Sequence, residues 1–92
     1  MAMTPRMQQA NRIFRQAFNS PLSAGNPAMT EFSDRMAQEY IDRAIDQYAA
    51  NPRAPYPLLL VGQLEVFQAL AGGAPGPQVI EAAHRLRSMS LE

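Results

Sequence analysis

The sequence predicts an all-α fold, a small four-helix bundle-like or helical-hairpin domain. Apolar residues recur at helical spacing in four stretches, and Pro- or Gly-rich breaks separate them. No stretch alternates apolar and polar residues over a strand's length, and β-branched residues are few.

The first helix is predicted from Pro5 to Phe18. Thr4 suits the N-cap, because its hydroxyl can accept from an unpaired amide of the first turn, and Pro5 suits the first helical position. Met7, Ala10, Phe14, Ala17 and Phe18 share one face, with Ile13 at its edge. A second helix is predicted from Glu31 to Ala50 with Thr30 as its cap, and Asn51-Pro52 ends it. Its stripe is Ala37, Tyr40, Ile41, Ala44, Ile45 and Tyr48. Glu31–Arg35 and Glu39–Arg43 are spaced to pair one turn apart. The connector NPRAPYP should be stiff and extended. A third helix is predicted from Leu58 to Ala71, stopped by Gly72-Gly73. A fourth runs from Pro77 to Met89 with Gly76 at the cap position, and Val79, Ala82, Ala83, Leu86 and Met89 form its apolar face. The short GGAPG link makes the last two helices antiparallel neighbours. A three-helix core with the first helix detached or swapped into a neighbour is the alternative arrangement, permitted by the long connection 19–29.

The 92 residues suffice for one domain, taken as 1–90, with Leu91-Glu92 read as a cloning remnant. Eight basic residues, all arginine, balance eight acidic ones. The absence of lysine reads as the codon bias of a GC-rich, bacterial genome. Neutrality argues against a general nucleic-acid binder, which needs surplus positive charge to release counterions. With no cysteine, disulfide and thiol chemistry are excluded, and a reducing cytoplasmic location is compatible. The longest apolar run, Leu58-Leu59-Leu60-Val61, is far too short to span a bilayer, and no signal-peptide apolar region opens the chain.

Catalytic groups are scarce. His84 is the one histidine, a zinc site would need partners that no Cys or second His supplies, and it reads as a solvated helical residue. Asp42 and Asp46, with Glu39 near, could hold a divalent ion only if other ligands converged; they read as the wet face of the second helix. Gly72, Gly73 and Gly76 lack the Lys-Ser/Thr that a phosphate loop requires. No metal, cofactor or catalytic residue is therefore expected. Arg6, Arg12 and Arg15 make the first helix basic, whereas the second carries five acids and two arginines between 31 and 50. These helices could pair within the chain or between chains. A nucleic-acid contact would require Arg6, Arg12 and Arg15, or Arg85 and Arg87, to converge on one face.

The third helix carries the strongest signal. Leu59, Leu60, Leu64, Val66, Phe67 and Leu70 form its apolar face, and Leu58 and Val61 fall outside it. A helix apolar almost all round is either central in the fold or covered by a partner. Ile80 lies off the stripe of the fourth helix in the same way. Leu58, Val61 and Ile80 are accordingly the candidate protein-contact residues. Gln63, inside the apolar face, would need a hydrogen-bond partner if buried.

Residues 40–70 resemble a tetratricopeptide helix pair. YIDRAIDQYAANPRAP looks like the second helix of such a repeat, and YPLLLVGQLEVFQAL like the next first helix, where Val61-Gly62 would allow close packing; VIEAAHRL would be its partner. The segment GGAPGP breaks the usual register. The resemblance implies a helical-hairpin scaffold that binds peptides or helices of other proteins. The expected function is a non-enzymatic protein–protein interaction module, a homodimer or a small bacterial adaptor or chaperone. A nucleic-acid-associated regulatory protein is the alternative.

Overall fold

A computed structural model describes residues 3–18 and 25–91. It contains four helices: α1 (Pro5–Gln16), α2 (Pro27–Ala50), α3 (Tyr56–Ala71) and α4 (Pro77–Ser90), with no strand among the described residues. The Thr4 hydroxyl accepts the Met7 amide at 3.1 Å, and Pro5 occupies the first turn. α2 begins four residues before the expected Glu31. Asn26, not Thr30, is its cap: Asn26 Oδ1 accepts from the amides of Ala28 and Met29, and Pro27 follows in the first turn. Thr30 instead lies within the helix, where its hydroxyl donates to the Asn26 carbonyl.

α3 also starts early, and takes in Tyr56 and Pro57. Proline costs little in a first turn, because the amide it lacks would have no partner inside the helix. A residue preceding proline resists the helical region. Here Tyr56 is anchored there by burial, by donation of its hydroxyl to Asn11 Oδ1 at 2.6 Å, and by an edge-on contact with Tyr48. Gly72 ends α3 in the left-handed region, φ 70°, and its amide closes on the Gln68 carbonyl. Pro77 opens α4 behind Gly76.

Side-chain contacts fix the topology. Tyr40 meets Phe67 and Tyr48 meets Tyr56, so α2 runs antiparallel to α3. Asn11 bonds Tyr56 and Phe18 packs on Phe67, so α1 runs parallel to α3. The Arg6 guanidinium donates to the Met89 carbonyl and Arg85 to Gln16, so α4 runs antiparallel to α1. α1 and α3 each touch all three other helices, whereas α2 and α4 do not touch each other. The core is built on Phe14, Ile41, Leu60, Leu64 and Leu86, all fully buried. Phe14 places α1 inside this core, so the alternative with a detached first helix does not describe the fold. At about 1.5 Å per residue the 24-residue α2 spans nearly the whole 38 Å length of the molecule. Its first turns overhang the shorter helices, leaving Met29 and Phe32 exposed.

Four sequence expectations are corrected. Val61, expected to face outward, is 5% exposed, because α4 folds back over that flank of α3. Val66 and Leu70, expected inside, are exposed, Leu70 to 74%; it lies one turn beyond Phe67, where the aromatic contacts from α1 and α2 end. Glu31–Arg35 and Glu39–Arg43 do not close as ion pairs. Arg43 lies over the Tyr40 ring at 4.8 Å, and among the described residues the one ion pair is Arg87–Glu65. Gly62 mediates no close packing, since a Cβ built there meets nothing within 4 Å.

Two glycines of α3 should therefore respond oppositely to alanine. Gly62→Ala should raise the unfolding free energy by about 0.5–1 kcal/mol, because a helix interior disfavours glycine and there is room for a methyl. Gly72→Ala should lower it by about 1 kcal/mol through its left-handed φ alone, as no atom obstructs the new Cβ. Urea titration of both variants checks the pair, and equal signs would contradict the assignment.

Candidate functional site

The short link from Gly72 to Gly76 returns α4 antiparallel along α3 and leaves a groove of about 360 Å³ between the two helices. Val61, Leu64 and Val79 form its floor and are themselves buried. Gln68, Pro75 and Ala83 line its sides. Ile80 rises from its rim, 58% exposed, and on its far side a second apolar depression opens between Pro75, Pro77 and His84. Halfway along, Arg87 Nη2 on α4 reaches Glu65 Oε1 on α3 at 3.8 Å, with both side chains more than half exposed. Such a pair contributes at most about 1 kcal/mol to folding.

The three sequence-derived contact residues do not form one patch. Ile80 lies on the groove rim and Val61 on its floor. Leu58, 43% exposed, sits two turns before Glu65, whereas Ile80 sits two turns before Arg87 on an antiparallel helix. The two are therefore at opposite ends of the α3–α4 face, on the order of 20 Å apart. Glu65, Gln68, Pro75, Ala83 and Arg87 were missed as lining residues. Their contribution depends on which flank of α3 the fourth helix covers, and no single helical wheel reports that.

The charged residues are dispersed. His84 is exposed on α4, on the opposite side of the bundle from Glu39, Asp42 and Asp46 of α2, which does not touch α4. Among the described residues no group of three His, Cys, Asp or Glu side chains is placed to hold a metal ion. Arg15 turns to α2, where it donates to Gln38 Oε1 and the Asp34 carbonyl, and Gln38 in turn donates to Asp42. The basic and acidic helices thus meet through a glutamine, not through an ion pair. Arg85 reaches Gln16 on α1 and Arg87 reaches Glu65 on α3, so these two diverge to opposite flanks of α4. At the end of the bundle away from Ile80, a cleft of about 250 Å³ with mixed polar and apolar walls lies between Thr4, Arg6, Met7, Tyr48, Arg53 and Tyr56. Burial, with the nearby Asp42 charge adding to it, pushes the Tyr56 phenol up to about 12. No described helix is long and apolar enough to cross a membrane. No family model, curated protein or solved structure matches this chain, so the tetratricopeptide resemblance rests on residues 40–70 alone.

Gln63 is 4% exposed, and its Oε1 has no hydrogen-bond partner. An unsatisfied buried acceptor costs about 1–3 kcal/mol. Gln63→Leu, similar in size, should stabilise the fold by about 1 kcal/mol in urea titration, and a loss of that size would mean that the amide is satisfied. Tyr56 gives a pH signature. Between pH 10 and about 12 the unfolded chain releases the Tyr56 proton while the folded chain holds it, so the folded state binds more protons and stability falls as pH rises. Tyr56→Phe should lack that part of the alkaline loss. Identical alkaline profiles for the two proteins would contradict the assignment.

Proposed function

We propose that the chain is a non-enzymatic protein–protein interaction module that docks an apolar helical ridge in the α3–α4 groove. The observation that carries this reading is Ile80. A large aliphatic side chain stands more than half exposed on the rim of a groove whose floor is Val61, Leu64 and Val79. Water over such a concave apolar strip is displaced favourably, at roughly 25 cal/mol per Å² of apolar area covered. Amphipathic helices lie in grooves of this kind with anchors one turn apart. The mixed charge of the rim, Glu65 against Arg87, suits a partner of mixed charge. A small bacterial adaptor or chaperone working in the reducing cytoplasm fits this chemistry and the lack of cysteine. The nucleic-acid alternative finds less support, since Arg15, Arg85 and Arg87 are directed to three different helices.

A photo-crosslinking residue placed at Ile80, at Gln68 or at Gln47 on the exposed face of α2 tests the reading in the cells from which the chain comes. Protein adducts should form from positions 80 and 68 and be absent from 47. No adduct from 80, or equal yields from all three, would refute groove docking.

A further inference from the structure

We infer that the occupant of the α3–α4 groove is a second copy of this chain, an inference that rests on the groove being a docking face. The face is self-complementary. It carries an exposed aliphatic knob, Ile80, beside a recess of Leu64, Pro75 and Val79 edged by the Gln68 amide, and it carries both members of a charge pair. A two-fold axis running along the groove sets α3 of one copy over α4 of the other, with heights along the helices unchanged. Each Ile80 then stands over the Gln68–Pro75 stretch of the opposite copy. Each Glu65 stands over an Arg87. Glu65 and Arg87 within one chain are 3.8 Å apart and mostly exposed, so they are weakly committed to each other and are free to share partners. The result is a square of four alternating charges, whose desolvation offsets much of its attraction, so it fixes the register of the two copies more than it adds affinity. The other two-fold, across the helices, would set Glu65 over Glu65 when its axis passes at the height of the charge pair, and that arrangement is disfavoured. A foreign partner would have to supply its own knob and its own charge pair at matching heights, whereas a second copy supplies them by symmetry. With eight charges of each sign the chain does not repel itself at long range.

The size of the face sets the strength. Helices of 14 and 16 residues are about 21–24 Å long, and at a spacing of about 10 Å they present a face about 20 Å wide. This is about 450 Å² of projected area, and since a corrugated helix face carries more accessible than projected surface, it is at most the size of a standard interface. With one exposed aliphatic anchor per copy and a solvent-exposed charge pair, the dimer should be weak and exchanging, with a Kd on the order of 10–100 μM.

Sedimentation equilibrium of the purified full chain, from a few micromolar to roughly 1 mM, reads this directly. The wild-type chain should pass from monomer to dimer across that range. Ile80→Glu and the milder Ile80→Ser should each weaken association, the former by about tenfold or more. Glu65→Arg and Arg87→Glu should each weaken it severalfold, and mixing the two single variants, which restores opposite charges only between copies, should give a heterodimer tighter than either homodimer. Circular dichroism confirms that each variant is folded. A monomer at every concentration, or a dimer indifferent to both Ile80 variants, overturns the inference. A monomer whose position 80 still crosslinks to foreign proteins defeats the second copy and leaves groove docking standing. A monomer that forms no adduct at 80 defeats both.

Discussion

The structure depends on enclosing one helix. α3 carries apolar side chains around most of its circumference, so a single packed neighbour would leave half of it in water. The remaining elements are arranged to meet that demand. α1 lies along it in parallel, α2 and α4 flank it in the opposite direction, and α2 and α4 never meet. Phe18 packs on Phe14, Tyr40 and Phe67, so one aromatic cluster ties the first three helices together at one end. At the other end Tyr56 does the same work, bonded to Asn11 of α1 and set against Tyr48 of α2. Three helices of ordinary width cannot surround a fourth completely. The arc of α3 left over faces the gap between α2 and α4 and carries the exposed Leu58, Val66 and Leu70, and the candidate docking groove lies along its α4 edge.

Much of this architecture was legible in the sequence. The stripes of α1, α2 and α4 follow from their 3.6-residue spacing, because each of these helices buries a single contiguous face. Thr4, Gly76 and Pro77 mark their termini through local chemistry that needs no tertiary context. The start of α2 differs from the expectation: Thr30 is a good cap by local chemistry, but the helix already begins at Pro27, because the Asn26 side chain satisfies two amides and proline suits the first turn. Tyr56-Pro57 read as extended connector. A tertiary contact, the Tyr56 hydroxyl on Asn11, holds it helical, and sequence spacing carries no trace of a partner 45 residues away.

The site was harder to read for the same reason. A helical wheel assigns one inward direction, whereas α3 has three. Val61 is inside because α4 covers its flank, and Leu70 is outside because its neighbours end one turn short of it. The wheel placed Ile80 off the one buried face of α4, and it is exposed there. Gln63 sits where the apolar stripe placed it and without the partner for its Oε1 that burial demands. That orphaned acceptor is a stability cost inside the helix on which the fold depends.

Exposure at Ile80 and Leu70 provides the most direct comparison, because both are large aliphatics on the surface of the isolated chain and only Ile80 lies on the groove. Methyl relaxation by a soluble paramagnetic probe, recorded at low and at high protein concentration, reports how open each is to solvent. The account predicts that Ile80 becomes shielded as concentration rises while Leu70 stays equally accessible. Unchanged accessibility at Ile80, or shielding that appears at Leu70 instead, would contradict the claim that the α3–α4 groove is the contact face.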